Sequence, residues 1–263
     1  MNEKRTLRTI FDQSARDYDQ VRPSYPEELI ADAISISGIP EGGRVLEVGC
    51  GTGQATIPLA KRGYSMLCLD IGKDLVVLAR ENCGAYPKVD IRHLSFEDWN
   101  AKGSLFDLVI SATAFHWIPA EIGYPKAAQV LKTDGYIAAF WNLHPTPYTD
   151  FFQAVQKVYQ RVVPEWPAPS EGPSTVDKIR STVQDINKTG VFEKVLVKQY
   201  PWSKAFDKAQ YLQLLNTFSG HRDLEKSRRE KLFAGIGDLI EKEFGGTIMR
   251  PYLSVLYLAK KRC

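Results

Sequence analysis

The sequence predicts an α/β fold built on a mostly parallel sheet, on three observations. From residue 44 to residue 141, short apolar runs alternate with helical patterns, β then α repeated, which specifies parallel strands joined by right-handed crossovers. Phe106-Asp107-Leu108-Val109-Ile110-Ser111 is apolar almost throughout, as a strand buried on both faces must be. The first run, Val45 to Val48, passes directly into a turn holding Gly49, Gly51 and Gly53, and a helical pattern begins at Thr56.

Each element follows from local chemistry. Residues 3–21 predict a helix with Leu7, Ile10 and Phe11 on one stripe, and Pro23 disfavours helical geometry at Arg22. Pro26, Glu27 and Glu28 open a second helix, with acids in its first turn to complement the dipole, and Gly38 stops it. Beyond the glycine turn come a helix over 55–61 closed by Gly63, a strand over 65–69, a helix over 74–83 and a strand over 89–93. The strand over 106–111 follows, then a helix ending within 127–131, a turn at Thr133-Asp134-Gly135 and a strand over 136–141. There the pattern changes. Residues 150–163 read as a helix, 164–169 as a proline-rich loop, and a further helix ends near Gly190. A strand over 194–200, two helices within 206–244 and a strand over 248–260 complete the chain, the last two strands pairing antiparallel at an edge. The expected division is an N-terminal helical arm over 1–40, a ligand-binding core over 41–142, and a helical cap with the last two strands over 143–263.

Composition narrows the class. Hydrophobic residues make up 44% and charged residues 25% of the 263, ordinary for a soluble domain. The net charge of +3 is small and its Lys and Arg are scattered, so nothing demands nucleic acid or an anionic membrane. Cys50, Cys68, Cys83 and Cys263 show no Cys-x-x-Cys spacing, which fits a reduced, cytoplasmic setting and no metal site. There is no apolar leader and no run of about eighteen apolar residues.

The glycine turn carries the chemistry. Glycine lets the main chain approach a ligand closely, and the following helix offers unpaired N–H groups. A dinucleotide fingerprint counted from Gly49 needs its third glycine where Gln54 stands, and counted from Gly51 where Thr56 stands. A Walker-type loop needs Gly-Lys-Ser/Thr, which is absent. Glu47 adds a carboxylate beside the turn, which suits a cationic ligand. Asp70, about twenty residues on at a strand end, is placed either to accept from ribose hydroxyls or to cap the next helix, and it favours a nucleoside without choosing the cofactor. Ile71 is placed to pack on an adenine face.

Glu47-x-Gly49-x-Gly51-x-Gly53 resembles the glycine loop of the class I S-adenosylmethionine (SAM) dependent methyltransferases, and the likeness covers most of residues 5–145. It implies a Rossmann-like, seven-stranded, mostly parallel sheet with helices on both faces, a reversed final strand and a helical cap. It also implies that SAM is the cofactor and S-adenosylhomocysteine the product. Phe11-x-x-x-Ala15-x-x-Tyr18-x-x-x-Arg22-Pro23-x-Tyr25-Pro26 resembles the arm of small-molecule methyltransferases, by which Tyr18 and Arg22 contact the SAM carboxylate or the substrate. Ser95, Phe96 and Glu97 stand where the family carries Gly-Asp-Ala against the adenine. Ser111 and Phe115 belong by the same likeness to the cofactor site. His116, in Phe115-His116-Trp117, is implied as an active-site wall that orients the acceptor or takes its proton. The Asp/Asn/Ser-Pro-Pro-Tyr motif of amino-directed nucleic-acid methyltransferases is absent. The narrower likeness is to enzymes that esterify small carboxylic acids, of the trans-aconitate methyltransferase type. A small-molecule acceptor methylated on a carboxylate or hydroxyl oxygen, by a monomer or homodimer, is therefore expected. Two other readings stand beside it: a catalytically silent SAM-binding protein, and an NAD-dependent oxidoreductase, which should show Gly-x-Gly-x-x-Gly.

Overall fold

Seven strands form one sheet in the order β3-β2-β1-β4-β5-β7-β6. They are β1 (Arg44–Val48), β2 (Ser65–Asp70), β3 (Val89–His93), β4 (Phe106–Ala112), β5 (Leu131–Leu143), β6 (Leu196–Asp207) and β7 (Thr247–Lys260). The computed structural model describes residues 15–103, 105–148, 150–167 and 172–262. Strands β1 to β5 pair in parallel, and β7 runs antiparallel to both β5 and β6. The reversed strand expected at the end of the chain is therefore present, and it lies between its two neighbours with β6 as the edge.

Helices α1 (Ala15–Val21), α2 (Glu27–Ser37), α3 (Thr56–Ala60), α4 (Lys73–Asn82), α5 (Ala120–Val130), α6 (Phe151–Val162), α7 (Thr175–Lys188), α8 (Lys208–Asn216), α9 (Ser219–Asp223) and α10 (Lys226–Glu243) surround the sheet. Of the predicted N-terminal helix, only α1 is described, and Leu7, Ile10 and Phe11 lie outside the described residues. Pro26 precedes α2, Glu27 and Glu28 fill its first turn, and Gly38 closes it in left-handed geometry at φ 61°. Capping boxes start α7 (Ser174 with Asp177) and α8 (Asp207 with Gln210). Two differences from expectation have local causes. The predicted turn at 133–135 is absorbed into β5 as a register shift opposite Phe106 and Leu108. The region 206–244 holds three helices because a five-residue turn of helix, Ser219–Asp223, stands between the two expected ones.

Period-two alternation splits the strands between two cores. Val45, Cys68, Leu108 and Phe140 pack with Leu29, Leu59 and Val76 on one face. Leu46, Leu69, Val109 and Tyr257 pack with Phe115, Ala127 and Ile186 on the other. A third cluster forms where β6 and β7 outrun the rest of the sheet. Leu143 of β5 meets Leu253, so residues 247–252 and their β6 partners project beyond it. Val21, Phe151, Tyr211, Leu232 and Ile236 cover that extension together with Phe206 and Tyr252.

Candidate active site

In the strand order, β1 and β4 are the neighbours at which the chain reverses its direction of growth, and the crevice beyond their carboxyl ends is where open α/β sheets bind ligands. The glycine turn stands there. Gly49 has φ +75°, and a Cβ on it would lie 2.3 Å from the Cβ of Ala114, so only glycine lets the turn sit against the β4 loop. The N–H groups of Gly49 and Cys50 donate to the Leu69 carbonyl at 2.8 and 3.2 Å, pinning the turn to the end of β2. Asp70 completes the clip. Its Oδ2 accepts from the Gly51 N–H and its Oδ1 from the Gly72 N–H, both at 2.8 Å.

Two communicating compartments open around this turn. The first, about 290 Å³, is bounded by Gly51, Asp70, Ile71, Leu94, Phe96 and Glu97, with His116 and Trp117 at its other side. The second, about 110 Å³, lies between the turn and Tyr25, Asn142, Arg250 and Tyr252. Arg22, Gly49, Gly51, Ala112, Thr113 and Phe218 line both, so they form one hollow.

Among the sequence-predicted residues, Arg22, Gly49, Gly51, Asp70, Ile71, Phe96, Glu97 and His116 meet in the first compartment. Arg22 is fixed by Thr217, whose Oγ1 and carbonyl accept from its Nε and Nη2 at 3.0 Å each, and its guanidinium lies 4.8 Å from the Phe218 ring. His116 Nδ1 accepts from the Trp141 indole N–H at 3.0 Å. A neutral ring then carries its proton on Nε2. Five predicted residues do not line either compartment. Ser111 is buried and donates to the Val48 carbonyl at 2.7 Å, bracing β4 against β1. Phe115 packs on Tyr124 and Phe96 in the core. Ser95 donates to Asp98 at 2.7 Å and accepts from its N–H, shaping the loop after β3. Gly53 turns at φ +101° beside Cys83. Glu47 shares a face with Val45 and lies beneath the turn. Tyr18 belongs to α1, but its side chain lies outside the described residues.

Several lining residues escaped the sequence reading. Thr113 has φ +56° and bonds the Tyr25 hydroxyl at 2.7 Å, a non-glycine left-handed residue at the hollow's centre. Arg250 and Tyr252 arrive from β7 and carry no local motif. Only the strand order brings them to the turn.

Glu47 is fully buried. Thr56 Oγ1 donates to its Oε2 at 2.6 Å, while Oε1 has no hydrogen-bond partner. Burial outweighs these bonds and pushes the carboxyl up to about 7 from 4.5. The native state thus holds a proton that the unfolded chain releases near pH 4.5. The wild type is expected to lose about 3 kcal/mol of stability between about pH 4.5 and 7. Glu47→Gln should lack that slope. Parallel denaturation profiles of the two proteins across this window would sink the assignment.

Among the described residues, no cluster of His, Cys, Asp and Glu fits a metal ion, and no helix is long and apolar enough to cross a membrane. Residues 45–135 match the model of a methyltransferase domain. An uncharacterised methyltransferase-like protein of Schizosaccharomyces pombe is 24% identical over 91% of this chain and 88% of its own length. The malonyl-[acyl-carrier protein] O-methyltransferase of Geobacter sulfurreducens is 30% identical over 52% of this chain, which spans 53% of that relative's length. In three dimensions the chain resembles a provisionally assigned type II methyltransferase of Anaeromyxobacter dehalogenans, with a TM-score of 0.63, 20% identity and coverage of 91% and 96% of the two chains.

Proposed function

We propose that the chain, whose residues 45–135 match a methyltransferase domain, is a class I SAM-dependent methyltransferase that methylates a small molecule on a carboxylate or hydroxyl oxygen. The observation that carries the reading is the two-compartment hollow. The first compartment is sized and lined for an adenosine, with a carboxylate at one end and apolar side chains along its walls. The second is small and is lined on one side by Leu214 and Phe218 of the third cluster, which supports a compact acceptor in preference to a nucleic acid or a membrane lipid. We read residues 143–263 as helical cap insertions over this acceptor plus the last two strands completing the sheet. The name of the G. sulfurreducens relative, an O-methyltransferase, supports oxygen as the attacked atom.

The residues fit the cofactor. Gly49 packs against Ala114 and lines the hollow with its main chain, and Asp70, clipped by the Gly51 and Gly72 N–H groups, lines the first compartment where a ribose would lie. Ile71 and Phe96 would flank the adenine, with Glu97 at its edge. When bound, SAM supplies a methyl group on a positive sulfur, open to in-line displacement. The protein's own part is alignment and exclusion of water. Proximity alone lowers such a barrier by about 7 to 11 kcal/mol when the reacting atoms are well aligned. Phe218 and Trp117 present apolar rings to the hollow, and Arg22 is held rigid by Thr217 to face an anion. A carboxylate acceptor needs no base. His116, whose Nδ1 accepts from the Trp141 indole N–H, is suited to orienting an oxygen more than to removing a proton.

Calorimetry with SAM, S-adenosylhomocysteine and NAD tests the premise, and radiolabelled SAM with a panel of small carboxylic acids and phenols tests the acceptor. SAM is expected to bind and NAD not to, and the labelled product is expected to be a base-labile ester or a stable ether. Label transferred to amines alone would overturn the oxygen assignment. Tight SAM binding without transfer to any acceptor would favour a silent SAM-binding protein.

A further inference from the structure

The second compartment contains a positive charge that no carboxylate among the described residues pairs with. Arg250 projects from β7 with its guanidinium 5.2 Å from the ring centre of Tyr252, 5.4 Å from that of Phe152 and 5.9 Å from that of Phe218. Its Nε is buried without a hydrogen-bond partner, and so is the Tyr252 hydroxyl. Among the described residues, no carboxylate forms an ion pair with it. The titratable groups packed around it cannot supply the missing charge. Burial holds the phenols of Tyr211 and Tyr252 protonated. Burial and the Arg250 charge push His144 and His221 down to about 4, so both are neutral at pH 7. Aromatic faces offset part of the cost of withdrawing a guanidinium from water, but they leave its Nε–H without an acceptor.

The wall has a matching polarity. Among the described residues, its ionic side chains are Arg22 and Arg250, which flank the same Phe218 ring, and none is acidic. Arg22 is tied to Thr217, so Arg250 is the one whose Nε remains to be satisfied. About 110 Å³ admits a planar anion of a few atoms on a short apolar stem. Resting on the methyltransferase reading, we propose that this compartment is the acceptor subsite for a carboxylate, in which Arg250 and the Tyr252 hydroxyl donate to the carboxylate oxygens while the rings of Phe218 and Tyr252 seat the stem. A guanidinium and a carboxylate match in plane and charge, and this pairing would supply the acceptor that the Arg250 Nε lacks.

The test is calorimetric, on the full chain saturated with S-adenosylhomocysteine. Acetate, butyrate, succinate and benzoate are each titrated against the corresponding uncharged amide. At least one acid is expected to bind at least tenfold more tightly than its amide. Arg250→Met should weaken that acid at least tenfold, keep S-adenosylhomocysteine affinity within twofold, and leave the amide unaffected. Arg250→Lys, which restores the charge without the planar fork, should recover part of the loss, a rescue that a purely structural role would not produce. Acids binding no better than amides, no acid binding at all, or unchanged acid affinity in Arg250→Met would each overturn the proposal. A fall in S-adenosylhomocysteine affinity with acid binding intact would also overturn it, assigning Arg250 to the cofactor's own carboxylate. A wild type that takes up no S-adenosylhomocysteine removes the methyltransferase reading, and the proposal with it, and is recognised before any acid is added.

Discussion

Gly49→Ala is expected to abolish measurable SAM binding and to lower stability by about 2 to 5 kcal/mol. Two costs combine. An alanine held at φ +75° pays about 1 to 2 kcal/mol for the left-handed conformation. Its methyl would also stand 2.3 Å from the Cβ of Ala114, an atom fixed to the main chain that cannot rotate away. The β4 loop would have to retreat, and overpacking of this kind costs about 1 to 3 kcal/mol. Retreat moves Thr113 and the wall of both compartments, so affinity falls more than stability alone requires. Denaturant unfolding and calorimetry on one preparation check both halves. A variant that folds and binds SAM like the wild type would show that the turn does not face the cofactor.

The second large effect is expected at Asp70. Asp70→Asn keeps one acceptor oxygen and replaces the other with an NH2 group, which cannot receive the N–H of either Gly51 or Gly72. Charge-assisted bonds of this sort contribute about 1.5 to 3 kcal/mol. SAM affinity should fall about tenfold to a hundredfold through the lost ribose contact and the loosened turn. The two contributions separate by ligand. If adenosine affinity falls as much as SAM affinity, the ribose is the site of the loss. If adenosine binds normally while SAM weakens, Asp70 acts through the turn alone.

Much of this architecture is legible in the sequence because its determinants are local. The strand over 106–111 is apolar on both faces, the turn is marked by its glycines, Gly38 closes its helix, and Gly63 takes the left-handed turn three residues after the helix ending at Ala60. The first compartment is legible for the same reason, since Gly49, Gly51, Asp70 and Ile71 each end or follow a strand of the parallel core. Glu47 shows where such reading stops. The motif marks it as a site residue, but strand alternation sends its side chain to the Val45 face, beneath the turn. The full length of β6 was hidden as well. The strand expected over 194–200 stops before Pro201, and it is pairing with Leu253 to Thr247 that extends it to Asp207. Arg250 and Tyr252 were invisible because β7, not a nearby motif, carries them to the hollow.

The position of β7 has a consequence for assembly. Strands β1 to β5 find partners among themselves, but β6 pairs only with β7, and β7 follows it in the chain by the length of three helices. Until β7 inserts, β5 presents an open edge and β6 has no neighbour, so spatial order and synthetic order cross at this point. Such non-local pairing is slow, and exposed edges invite association with other chains in the meantime. The strand that closes the gap is also the one that bears Arg250 and Tyr252. Completion of the sheet and formation of the hollow's far wall are thus a single event, and a partly zipped molecule with an intact glycine turn would have half a site.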